Sequence, residues 1–146
     1  MPERIDLPDV NVWLALARAD HPHHERACSY WESESSAQLG FCRVTALGFA
    51  RLLTQPAVMG KEVLSVDRAW EVYQAFRALP SIVLLREPSG CEARLGAWAT
   101  EGQPSRRLWT DAYLASFAIA GDFRIVTFDR DFERFEDLDL LRLRAS

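Results

Sequence analysis

No run of apolar residues in this 146-residue chain approaches the roughly 18 that a membrane-spanning helix needs. The opening residues, MPERIDLPD, carry acids where a secretory signal would carry an apolar stretch, so the chain reads as cytoplasmic. Cysteine is scarce. Cys28, Cys42 and Cys91 are odd in number, far apart and without CxxC spacing, which points to buried, inert thiols. Positive charge is also lacking: the net charge is −4, which argues against a DNA coat or a polybasic membrane binder. It does not exclude an enzyme acting on nucleic acid, because acids that hold a metal lower the net charge while the metal restores positive charge locally. Repeats, low-complexity tracts and linkers are absent, so a single domain over residues 1–146 is expected.

What is present is core-forming material. Hydrophobic residues make up 49% of the chain, with five Trp and eight Phe. Ile5 and Leu7 lead to Pro8, and the pattern then switches to helix through Val10, Trp13, Leu14 and Ala17. A helix to about residue 34 follows, with Asp20 as its expected cap and Pro22 in its first turn. The neighbouring His21, His23 and His24 lack a Glu or Cys at zinc spacing and read as a solvated helix start. Short apolar runs at 37–42 (AQLGFC), 81–85 (SIVLL) and 124–128 (RIVTF) read as buried strands, and 138–143 as an edge strand. Helices are expected at 44–54, at 65–79 with Ser65 as cap, near 91–100, and at 106–120 with Gly121 as C-cap; a loop is expected at 102–105. Strands alternating with helices predict a three-layer α/β/α fold around a mainly parallel sheet of four or five strands.

Three acids stand out against this frame. Asp9 and Asp129 each follow an apolar strand, and ligands of open α/β sheets sit beyond the carboxyl ends of the strands. Asp111 shares a helical stripe with Leu108, Ala115 and Ala118, so it sits on the inward side, where an ionised carboxylate needs a cation, an arginine partner or a raised pKa. Each acid also has a structural explanation. Asp9 and Asp129 are natural helix N-caps, and Asp111 suits a helix start or a buried ion pair. Together, at one edge of one sheet, they would repel unless a cation neutralised them, and hard oxygen ligands select Mg²⁺ or Mn²⁺.

Five segments then align with a known pattern: PDVNVW with Asp9 and Asn11, HPHHERA followed by Trp31, CRVTALGFARLLT at 42–54, TDAYLASFA with Asp111, and IVTFDRDF with Asp129 and Asp131. In this order, over nearly the whole chain, the sequence resembles the PIN-domain ribonucleases, most closely the VapC toxins of bacterial toxin–antitoxin operons. The resemblance implies a Mg²⁺-dependent endoribonuclease, with Mn²⁺ as a substitute, that forms a homodimer and is inhibited by a VapB-type antitoxin. It implies Asp9, Asp111 and Asp129 as catalytic metal ligands. It also exposes a departure: the glutamate that the family often carries just before the Phe of CRVTALGFARLLT is Gly48 here, and no Asp or Glu occurs from Ser35 to Lys61. Asp131 is the natural substitute as a fourth ligand.

Asn11 and Thr127 are candidate supports for Asp9 or for a metal-bound water, and Arg51 is a candidate neighbour of the site. Arg106, Arg107, Arg124 and Arg130 flank the acids and are candidates for RNA phosphates, with a solvated surface role as the alternative. Trp31, Trp70, Trp98, Tyr30 and Tyr73 exceed the need of one small core and suggest a partner surface. Two other functions fit parts of the pattern: a PIN-like binding module whose catalysis has weakened, suggested by Gly48, and a phosphatase or phosphoacceptor with Asp9 as nucleophile. The second is opposed by Asn11, which stands where such enzymes carry another acid.

Overall fold

In the computed structural model, residues 3–102 and 105–145 are described; the expected loop at 102–105 falls partly outside them. Five strands, β1 (Ile5–Pro8), β2 (Gln38–Phe41), β3 (Ile82–Leu84), β4 (Arg124–Thr127) and β5 (Leu140–Arg142), form one sheet in the order β3-β2-β1-β4-β5. Every pairing is parallel. The chain builds outward from β1 to β3 and then returns to place β4 on the other side of β1. The strand order therefore reverses between β1 and β4, the switch point where α/β sheets open a crevice for ligands.

Parallel strands covered on both faces should be apolar throughout, and they are: Leu7 and Ile125 face one helical layer, Val126 the other. The first layer contains α1 (Val10–Ala17), α2 (His24–Ser33), α3 (Arg43–Leu53), the short α4 (Pro56–Met59) and α5 (Val66–Arg77). Its core is aromatic, with Trp13 stacked on Phe41 at 4.0 Å between ring centroids. The second layer contains α6 (Cys91–Thr100) and α7 (Trp109–Gly121), which pack Leu114, Phe117 and Ala118 against Leu7, Cys42 and Ile125. Among the described residues no helix is long and apolar enough to cross a membrane.

Several local expectations are corrected. The helix after the histidines begins at His24, because the Asp20 carboxylate is drawn to Arg18 at 3.0 Å and leaves the helix start uncapped by a side chain. Ser65 occupies the N-cap of α5 without a capping side-chain bond. Residues 106–108 form a 3₁₀ turn rather than the start of the α-helix. The left-handed residue after α7 is Asp122, at φ 59°, not Gly121. Gly121 is demanded instead by close packing: a Cβ there would lie 2.2 Å from the Phe123 ring. Tyr30 and Tyr73 are core residues and not part of a surface surplus.

Arg124 is also not a surface cation. It is 8% exposed and lies at the start of β4, opposite the carboxyl edge. Its Nε and Nη2 each donate to Asp6 at 2.9 Å, and Nη2 also reaches the Glu34 carbonyl. Asp6, with no exposed surface, further accepts from the Tyr30 hydroxyl at 2.6 Å and from the backbone and hydroxyl of Ser36. Asp6, flanked by the apolar Ile5 and Leu7, carries no sign of this role in the sequence. Burial by itself would raise its pKa, but the bonds from Arg124, Tyr30 and Ser36 outweigh that and hold it below the usual carboxylate range.

Asp6→Asn leaves the buried guanidinium without its counter-charge and should cost about 3–5 kcal/mol, measured by urea unfolding. A depressed folded-state pKa gives stability that is fully present above the unfolded value of 3.8 and is lost as pH falls through the folded one. The wild-type chain should therefore weaken below about pH 4, and Asp6→Asn should lack that component of the acid response.

Candidate functional site

The first acid is positioned by the end of β1. The Asp9 backbone N–H donates to the Val126 carbonyl at 2.8 Å, extending the β1–β4 ladder by one step, and helix α1 begins at the next residue. Asp9 Oδ1 caps that helix by accepting from the Val10 N–H at 2.8 Å. Its Oδ2 accepts from the buried Thr127 hydroxyl, also at 2.8 Å. The Thr127 oxygen in turn accepts from the Asp129 N–H at 3.0 Å and from the Asn11 amide at 3.4 Å. Asn11 Oδ1 accepts from the Phe128 N–H at 3.3 Å, so its amide orientation is fixed by the backbone of the neighbouring strand. Thr127 and Asn11 thus tie the ends of β1 and β4 together and aim both Asp9 and Asp129.

Asp129 caps the 3₁₀ turn Arg130–Arg134 through the Asp131 N–H at 2.9 Å. The capping roles anticipated for Asp9 and Asp129 are thus real. A cap uses one carboxylate oxygen, which for Asp129 leaves the other available. Asp111 stands in the first turn of α7, half-buried at the edge of the second layer, with Ala115 and Ala118 beneath it in the core. Asp111, Asp129 and Asp131 each bring a carboxylate oxygen within 4.8 Å of the other two. Asp9 adjoins them closely enough to interact electrostatically with both Asp111 and Asp129.

The electrostatics follow from this crowding. Burial first, and then the charges of Asp9, Asp129 and Asp131, push Asp111 up to about 6. Burial also raises Asp9, against the opposing bonds from Thr127 and Val10, and the charge of Asp129 adds to the rise. Asp131 behaves oppositely, because Arg107 donates to it at 2.8 Å and lowers its pKa. The cluster is short of positive charge, and its donors are hard oxygens. That set fits a divalent metal, with Asp111, Asp129 and Asp131 presenting the converging atoms and Asp9 beside them.

Not every candidate gathers here. Arg51 is exposed in the last turn of α3, three residues beyond Gly48, and makes no bond to an acid among the described residues. Arg124 lies at the far edge, held by Asp6. Arg106 and Arg130 are exposed, and Arg130 follows Asp129 directly in the chain. His24 Nδ1–H donates to the Ala15 carbonyl at 2.7 Å and His23 stacks on Phe128, so the histidines serve packing.

The family model for the PIN domain matches residues 7–138, a span that begins just before Asp9 and ends beyond Asp131. The chain belongs to the PIN-domain family. It is 41% identical to Ribonuclease VapC41 of Mycobacterium tuberculosis, over 92% of this chain and 95% of that protein. It is 30% identical to Ribonuclease VapC33 of the same organism, over 90% and 93%. Among solved structures, Mycobacterium tuberculosis VapC20, described as a sarcin–ricin loop cleaving toxin, superposes with a TM-score of 0.67 at 17% identity, covering 92% of this chain and 97% of that one. VapBC2 from Rickettsia felis, bound to a DNA fragment of its promoter, superposes with a TM-score of 0.66 at 14% identity, covering 96% and 99%. These structures support the fold. In this PIN domain the cluster lies at the β1–β4 switch point, the position that the sheet topology alone singles out.

A raised carboxylate pKa works against stability: Asp111 favours the folded state most when protonated, and that contribution fades as pH rises from the ordinary 3.8 to about 6. A divalent cation binds the ionised form. Adding Mg²⁺ should therefore raise the melting temperature near neutral pH, with the gain shrinking below about pH 6. Thermal melts across pH, with and without the metal, measure this.

Proposed function

We propose that this PIN domain is a Mg²⁺-dependent endoribonuclease, the toxin of a toxin–antitoxin pair acting in the cytoplasm, and that residues 1–146 form one domain. The observation that carries the reading is the convergence of Asp111, Asp129 and Asp131 within 4.8 Å, with Asp9 adjoining, at the sheet's switch point. The names of the similar proteins, ribonucleases of the VapC group, point the same way.

Asp9, Asp111 and Asp129 are the proposed catalytic ligands, with Asp131 as the fourth acid in place of the glutamate absent at Gly48. Mg²⁺ held there, or Mn²⁺ in its place, would supply Lewis-acid polarisation of the scissile phosphate and an activated water. The protein's own contribution is positioning. Thr127 holds Asp9 by one oxygen and fixes the Asp129 backbone, and Asn11 locks Thr127 and Phe128 to the same frame. Preset ligands spare the site reorganisation when substrate arrives. Arg106, Arg107 and Arg130, all exposed and near the acids in sequence, are the proposed contacts to RNA phosphates.

The proposed partners are the RNA, a VapB-type antitoxin and a second copy of the chain. The homodimer is supported by α5, where Val66 at 80% and Trp70 at 51% exposure stand one turn apart on the solvent face. Trp70→Glu should convert a dimer to monomer in light scattering.

An RNA cleavage assay on antitoxin-free protein tests the chemistry. Scission with Mg²⁺, abolished by chelation and reduced at least about a hundredfold by Asp111→Asn, is expected. No scission at all would favour a non-catalytic binding module. Phosphate release from small esters without RNA scission would favour the phosphatase reading.

A further inference from the structure

Asp131 differs from the other acids in the cluster because it already has cationic partners. Arg107 Nη1 donates to its Oδ2 at 2.8 Å, and Arg134 Nη2 reaches its Oδ1 at 3.4 Å. Its backbone N–H is bonded to Asp129 Oδ1 at 2.9 Å, so the side chain is held beside Asp129 from the main chain as well. Arg107 belongs to the 3₁₀ turn Arg106–Leu108, which leads directly into the helix bearing Asp111 and is pinned by the buried Leu108. Its guanidinium comes from the opposite wall of the cluster from Asp131 and bridges the two walls. The Arg107 side chain is 62% exposed, whereas Asp131 is 22% exposed.

We infer that Arg107 is the built-in counter-ion of the acidic cluster, occupying Asp131 in the metal-free protein and competing with a divalent cation for that carboxylate. The geometry supports competition rather than mere proximity. Oδ2 of Asp131 is taken by Arg107 and Oδ1 lies within reach of Arg134, so a cation drawing on Asp131 must displace or weaken one of these bonds. Arg107 is the one able to leave: more than half of its side chain is in water, so its release strands no buried charge. Arg134, three residues along the same turn, reaches Oδ1 from Asp131's own side of the cluster. The charge pattern agrees. Arg107 is held above its usual range by Asp131 first, and it also feels Asp129 and Asp111.

The consequence is a site whose electrostatic strain is limited without metal and whose metal affinity is held below what four free carboxylates would give. This inference rests on the metal-binding part of the proposed function, and the test separates the two. Mn²⁺ is titrated into the full-length protein and free Mn²⁺ is followed by electron paramagnetic resonance, with no substrate present. Arg107→Gln should bind Mn²⁺ about two- to fivefold more tightly than wild type, the size expected for freeing one exposed ion pair. Arg106→Gln, which removes the same charge one residue away, should have the smaller effect. In an Asp131→Asn background the gain from Arg107→Gln should disappear. Arg107 is exposed, and circular dichroism melts check that each variant is folded. Equal or weaker Mn²⁺ binding by Arg107→Gln overturns the inference. So does an equal gain from Arg106→Gln, which would make the effect one of bulk charge. A wild-type protein that takes up no Mn²⁺ overturns the metal-binding reading itself.

Discussion

The register between β1 and β4 is the constraint on which the site depends. Asp6 is the direct register partner of Arg124, and the buried ion pair between them locks the start of the two strands. Three residues further along β1, the bond from Thr127 to Asp9 closes the other end. A slip of one residue would turn every side chain to the opposite face, burying what should meet solvent and separating Asp9 from Thr127. The fold thus assigns the two ends different tasks. At one, opposite charges pair in the dry interior and specify alignment. At the other, like charges are gathered at the surface and left incompletely neutralised.

That second arrangement is costly without a cation, and the local structure shows how the chain carries the cost. Asp9 and Asp129 each serve as a cap, so backbone N–H groups at helical starts meet part of their negative charge. Asp111 sits in the first turn of α7, where the helix dipole favours an anion, yet burial and three neighbouring acids still raise its pKa to about 6. Asp131 draws on Arg107 and Arg134. The same features that stabilise each acid singly as a structural element make the group tolerable before a metal arrives. The capping explanation and the metal-site explanation therefore describe one design, and choosing between them for any single aspartate is unnecessary.

Much of this was legible in the sequence, for physical reasons that also mark where legibility stops. All five strands were readable because a parallel sheet covered on both faces needs continuous apolar runs, and Asp9, Asp111 and Asp129 were readable because each interrupted a periodic pattern or ended one. The Asp6–Arg124 clamp was not readable. Its members are 118 residues apart, Asp6 is flanked by apolar residues, and an arginine next to the acids looks like a phosphate ligand until the strand direction shows that it starts β4 and Asp129 follows its end. Tyr30 looked like interfacial surplus because its hydroxyl partner, Asp6, could not be seen.

Gly48 shows how sequence and packing are coupled at this edge. A Cβ at position 48 would lie 3.0 Å from Cγ2 of Val10, closer than side chains ordinarily sit. Val10 is the first residue of α1 and its N–H is the one that Asp9 Oδ1 accepts. A larger residue at position 48 would therefore press on the Val10 side chain, next to Asp9, unless that side chain shifted or shrank. The space next to position 48 is filled by the side chain of the valine that follows the first acid. Our reading that Asp131 supplies the fourth carboxylate is consistent with this packing. Asp131 approaches from the β4 side, through a turn already anchored on Asp129, and makes no demand on the α1–α3 contact that Val10 now fills. Asp131, on the β4 side, is also the acid within reach of Arg107.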